Sequence, residues 1–170
     1  MPRSMVYAVD IDVPAAVMYR NFTAVDYWQD LVEYYLQSGA RTEITRFSSQ
    51  DSGTDVTFSH IMSAQDLPAI ARPVLPSTFV ITREQHFDPF EHAINQAKGR
   101  YSARVPAPVE VTGDYVLADT EGGSQMRMET VLRARVPIIG GQIEQLLASG
   151  LKAMFADEGK FTADWVARHL

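Results

Sequence analysis

Glu158 is an acid on a greasy surface. Projected at about 100° per residue, the C-terminal stretch of the chain puts Glu158 near the middle of an apolar stripe, between Leu151 and Trp165. A carboxylate held in an apolar interior is expected to have a raised pKa, and it can then serve as a general acid or base or anchor the polar end of a ligand. Two other outcomes compete: Gly159 loosens the helix and releases Glu158 to solvent, or a buried arginine neutralises it. Arg83 and His60 share the character of Glu158, being polar residues on strand faces otherwise built from Phe, Ile, Val and Met. Converging, the three would supply acid–base chemistry inside apolar walls, the usual design of a small-molecule site. The alternative is a structural ion pair between Arg83 and Glu158 with His60 as a satisfied core residue.

Other residues would form the walls of such a site. Met62, Met126, Met128 and Met154 offer side chains that adapt to irregular ligands, beside Phe58, Gln85, Leu151 and Phe155. Tyr101 and Tyr115 fall at inward positions and could present hydroxyls. Ordinary core methionines and tyrosines would produce the same pattern. The expectation is one enclosed pocket, bordered by Phe58, His60, Arg83, Met126, Met128 and Leu151, with the roughly 300 to 1,000 Å³ of small-molecule sites. His86 and His92 flank the Asp88-Pro89 turn, but two histidines without a third ligand do not make a zinc site. No phosphate loop, nucleophile elbow or dinucleotide fingerprint occurs, so no metal and no cofactor is expected.

The elements that must position these residues follow from periodicity. Ser4 to Ile11 alternates as a half-buried strand, Pro14 starts a short helix to about Thr23, and a second short helix runs from Val25 to Gln37, stopped near Gly39. Arg41–Phe47 and Thr54–Met62 read as a hairpin around the Ser-Ser-Gln-Asp-Ser-Gly segment. The three prolines between Leu67 and Ser77 predict an irregular crossover, suited to a lid. Strands are predicted at Phe79–Phe87, Lys98–Val105, Val109–Ala118 and Gln125–Val136, and then one amphipathic helix from Gln142 to about His169. Leu147, Leu151, Met154 and Phe155 are expected to face the sheet.

Composition narrows the function classes. The chain of 170 residues, 46% hydrophobic, suits a single domain covering residues 1–170. It has no cysteine, hence no disulfide and no thiolate chemistry. A net charge of −6 argues against nucleic acid and against anionic lipid as partners. Without a signal-like N-terminus or an apolar stretch of spanning length, the expectation is a cytoplasmic protein with no stable membrane insertion.

The order of strand, two short helices, six strands and a long C-terminal helix resembles the helix-grip fold of the START, Bet v 1 and polyketide-cyclase superfamily, in the α+β class. The opening Met1-Pro2-Arg3-Ser4, then Asp26-Tyr27-Trp28, and the closing Val136-Pro137-Ile138-Ile139-Gly140-Gly141-Gln142-Ile143-Glu144 resemble a family of uncharacterised actinobacterial proteins known as DUF2505. The resemblance implies a curved antiparallel sheet of about seven strands around the C-terminal helix, and a cavity between them that takes an apolar small molecule, lipid-, polyketide- or isoprenoid-like. A binding protein is the first expectation. A cyclase or dehydratase using Glu158, Arg83 or His60 is the second, and an interaction module with a collapsed cavity is the third.

Overall fold

A computed structural model describes residues 2–170. It contains β1 (Arg3–Ile11), α1 (Ala15–Phe22), α2 (Val25–Gln37), β2 (Arg41–Gln50), β3 (Gly53–Ser63), β4 (Thr78–Phe87), β5 (Gln96–Arg104), β6 (Val109–Thr120), β7 (Gly123–Ala134) and α3 (Gly140–Arg168). The strands form one antiparallel sheet of seven in the order β1, β7, β6, β5, β4, β3, β2. The helix-grip expectation is met. Among the described residues, no helix is long and apolar enough to cross a membrane.

Local chemistry sets the element ends. Pro14 precedes α1, whose first amide, on Ala15, donates to Asp119 Oδ1 of β6 at 2.7 Å and so ties the helix to the sheet. Gly39, at φ 89°, ends α2 in the left-handed region. The β2–β3 hairpin is tighter than its sequence suggests. Ser48, Ser49 and Gln50 belong to β2, paired with Asp55, Thr54 and Gly53, because Ser49 and Thr54 bond across the strands at 2.9 Å and the left-handed Gly53 makes the corner. At the other end of β3, two short 3₁₀ turns, Ala64–Asp66 and Arg72–Val74, carry the proline-rich crossover. Arg72 pins it by donating Nε to Leu67 O at 2.9 Å.

α3 begins at Gly140 rather than Gln142, anchored by Glu144, which is 5% exposed and accepts from the Ala134 amide at 3.0 Å. It runs chiefly along β1 and β7, with further contact to α2, and reaches β4 and β5 through side chains such as Glu158 and Phe155. Phe155 is buried, Leu151 and Met154 are half-buried and pack against the same core as expected of residues facing the sheet, and Leu147 is half-buried. The main core lies toward the far half of α3. There Phe22, Tyr27, Trp28, Phe58, Phe87, Phe161 and Trp165 pack together, with Phe22 stacked on Phe87 at 4.8 Å between ring centres.

Candidate functional site

Strand alternation turns Phe79, Ile81, Arg83, Gln85 and Phe87 of β4 toward α3, so a guanidinium enters the interior among aromatic rings. Glu158 comes from the opposite wall, on α3. The two meet as a bidentate pair: Arg83 Nη1 donates to Glu158 Oε1, and Nη2 donates to Oε2 at 2.9 Å. Their side chains are 8% and 16% exposed. Tyr35 of α2 donates its hydroxyl to Glu158 Oε1. With its amide oxygen turned to Arg83, Gln85 accepts from Nη2 at 2.6 Å and from Nε at 3.0 Å. The guanidinium carbon lies 5.6 Å from the centre of the Phe58 ring.

The electrostatics correct the raised-pKa expectation for Glu158. Burial pushes its carboxyl upward, but the charge and hydrogen bonds of Arg83, with the Tyr35 hydroxyl, outweigh burial and hold it below the ordinary carboxylate range. Glu158 is therefore ionised at neutral pH. Burial likewise opposes the charge on Arg83, and Glu158 reverses that effect, leaving the arginine more firmly protonated than usual. Tyr35 is pushed up by burial and then by Glu158, so its phenol stays a donor. Arg83 and Glu158 thus form a buried ion pair in which both charges are retained.

His60 adjoins this cluster through Tyr35, whose ring meets the imidazole edge-on at 5.7 Å. Nδ1 bonds the Thr42 hydroxyl at 2.9 Å, while Nε2 is buried without a partner. Burial, followed by the charge of Arg83, lowers its pKa to about 4. His60 is a neutral ring with one unused polar atom, so it is not fully satisfied.

Two tyrosines complete the polar part of the interior. Tyr101 is paired directly with Gly113, and Gly99 with Tyr115, across β5 and β6. A Cβ on Gly113 would lie 2.2 Å from Tyr101 Cζ, and one on Gly99 would lie 2.4 Å from Tyr115 Cζ, so each ring occupies the space its partner leaves empty. The Tyr101 hydroxyl bonds Thr130 of β7, and that of Tyr115 donates to His86 O at 2.6 Å. Nearby, Tyr27 shares a 2.7 Å bond with Thr162, whose hydroxyl donates to Glu158 O.

The space these groups enclose is small. One interior cavity of about 60 Å³ is bordered by Arg83, Gln85, Tyr101, Tyr115, Met126, Met128, Phe155 and Glu158, together with Tyr27, Trp28 and Thr162. Phe58, His60, Met62, Leu151 and Met154 do not border it. This cavity falls short of the several hundred Å³ expected, because Phe22, Trp28, Phe87 and Phe155 occupy much of the concave face. A larger depression of about 490 Å³ lies on the outer face of the sheet, lined by Arg46, Asp55, Glu84, His86, Arg100 and Asp114. Its charged lining does not suit an apolar ligand. There His86 bonds Asp55 at 2.7 Å and Asp88 at 3.1 Å, while His92 stays exposed against Phe90.

Sequence reasoning found Arg83, Gln85, Tyr101, Tyr115, Met126, Met128, Phe155 and Glu158 but missed Tyr27, Tyr35 and Thr162. Both tyrosines lie on α2, where Tyr35 reads from its spacing as one of the apolar residues of the helix. The polar atom at the tip of each ring was the available signal.

An uncharacterised protein of Mycobacterium tuberculosis (strain H37Rv) is 28% identical over 176 residues, with both chains covered completely. The Zhui aromatase/cyclase from a Streptomyces species superposes with a TM-score of 0.61 at 13% identity, covering 99% of this chain and 95% of that one. Norcoclaurine synthase from Thalictrum flavum gives 0.57 at 14% identity, covering 100% and 89%. Ara h 8.0201 gives 0.52 at 13% identity, covering 99% of each chain. These likenesses show the fold. The family model of DUF2505, a protein family of unknown function, matches residues 6–166, and the chain belongs to that family.

Proposed function

We propose that the protein binds a small, mainly apolar molecule between the sheet and α3, with one hydrogen-bonding group of that molecule directed at the Arg83 cluster. The observation that carries this reading is the ionised Arg83–Glu158 pair placed in an apolar interior. A buried ion pair contributes little to stability relative to apolar residues of the same volume, so its presence is better explained by recognition than by folding. Because the two charges cancel, the reading favours an uncharged ligand bearing a hydroxyl or carbonyl group, of polyketide or isoprenoid type. The solved structures of like fold include an aromatase/cyclase and norcoclaurine synthase, whose names point to aromatic organic molecules.

A cavity of about 60 Å³ holds water rather than such a ligand, so binding requires the walls to move. Met126 and Met128 are the adaptable part of the wall. Trp28 borders the cavity and supplies the test. Titration with a neutral isoprenoid alcohol should change tryptophan emission saturably at one equivalent, and the carboxylic acid of the same skeleton should bind more weakly. Absence of saturable change with either compound, or a preference for the acid, contradicts this reading.

The nearly filled interior favours a second reading, an interaction module whose outer surface does the work. Acid–base catalysis draws less support, since Glu158 holds no proton to give at neutral pH and His60 is a weak base.

A further inference from the structure

The antiparallel order brings the start of β1 and the β3–β4, β5–β6 and β7–α3 connections to one end of the sheet. That end differs chemically from the other. It carries Arg3, Arg41, Arg72, Arg104, Arg133 and Arg135 against Glu43, Asp66, Glu84, Glu110 and the buried Glu144, and all six arginines are exposed. Among the described residues, only Arg104 and Arg135 of these have a carboxylate partner, Glu84 at 2.8 Å and Glu110 at 2.9 Å. The opposite end holds Asp12, Asp51, Asp88, Glu91, Asp119 and Glu121 against Lys98 and Arg100, the latter 3.9 Å from Asp88. The overall charge of −6 conceals this polarity, which is why net charge alone argued against an anionic partner.

The basic end also presents an apolar point. Ile138, in the connection between β7 and α3, is fully exposed at 101% and has φ 70°. The Ile139 amide donates to Pro137 O at 2.8 Å, so Ile138 occupies the centre of a γ-turn with positive φ. A β-branched residue is strained there, and full exposure returns no burial in exchange. Exposed prolines lie in other connections of the same end, Pro106 and Pro108 next to β7, where Pro108 O accepts from the Arg135 amide at 2.8 Å, and Pro68, Pro73 and Pro76 farther along the sheet in the β3–β4 crossover.

We propose that this end of the molecule docks on an anionic lipid bilayer, the arginines meeting the headgroups and Ile138 entering the interfacial layer. A nucleic acid would match the arginines but would have no use for a strained, fully exposed isoleucine. A bilayer matches both. The inference is independent of the interior ligand, since no residue it uses borders the interior cavity.

Vesicle flotation with the full chain tests it. Binding is expected to vesicles containing phosphatidylglycerol, to be weak on phosphatidylcholine alone, and to fall as salt rises. Each arginine near an anionic surface contributes about fivefold in affinity, so the double variant Arg133→Glu, Arg135→Glu should lose more than tenfold. Asn tolerates positive φ, so Ile138→Asn should weaken vesicle binding severalfold while leaving the melting temperature unchanged or higher. Equal binding to both lipids, affinity retained in either variant, or oligonucleotide binding indifferent to Ile138 in place of vesicle binding would overturn the proposal.

Discussion

Glu158 and Arg83 face each other from α3 and β4 as a two-pronged ion pair, with Oε2 2.9 Å from Nη2 and the Tyr35 hydroxyl closing the third side. The geometry fixes which variants separate folding from recognition. Glu158→Gln or Arg83→Met alone leaves a buried polar partner uncompensated and should cost about 3 to 5 kcal/mol in urea denaturation. Replacing both, Arg83→Met with Glu158→Leu, should restore stability to within about 1 kcal/mol or raise it above wild type. If each single variant is as stable as wild type, the pair is solvated and the polar-cluster account falls.

The same groups predict the acid limb of stability. Glu158 is held below its ordinary 4.5, so its contribution is complete above that pH and is lost as pH falls through its lower folded-state value. His60 is depressed from 6.5 to about 4, so the unfolded chain takes up a proton that the folded chain refuses. Stability should fall with a slope of at most about 1.4 kcal/mol per pH unit between these values. His60→Gln should flatten that slope between pH 6.5 and 4.5 relative to wild type. Equal slopes in the two proteins would show that His60 titrates freely.

The Tyr–Gly pairs of β5 and β6 make a third prediction. Gly113→Ala drives a methyl group into the Tyr101 ring and should destabilise by about 1 to 3 kcal/mol, with a changed near-ultraviolet tyrosine signal. A methyl group on Gly150 of α3 would meet nothing within 4 Å, so Gly150→Ala should stabilise by about 0.5 to 1 kcal/mol. Effects of the same sign at both positions would contradict the packing described.

How far the sequence reaches is clear from these residues. The element order and α2 were legible because period-2 and period-3.6 patterns alternate along the chain, and Glu158 stood out as a break in one of them. Ser48–Gln50 were misread as turn because small polar residues suit both a turn and an exposed strand edge. The ionisation of Glu158 depended on Arg83, some 75 residues away, and the filling of the cavity depended on how Phe22, Trp28 and Phe87 interlock. Neither is a property of local spacing. Gly99 and Gly113 look like weak points in strands until their tyrosine partners are known.

Native mass spectrometry of the protein purified from its own host, with extraction of any bound molecule, tests the central claim without a guess about the ligand. The account predicts a discrete adduct of one small uncharged organic molecule per chain, absent from the Arg83→Met, Glu158→Leu double variant. A chain that carries no adduct, or an adduct that persists in the double variant, would contradict it.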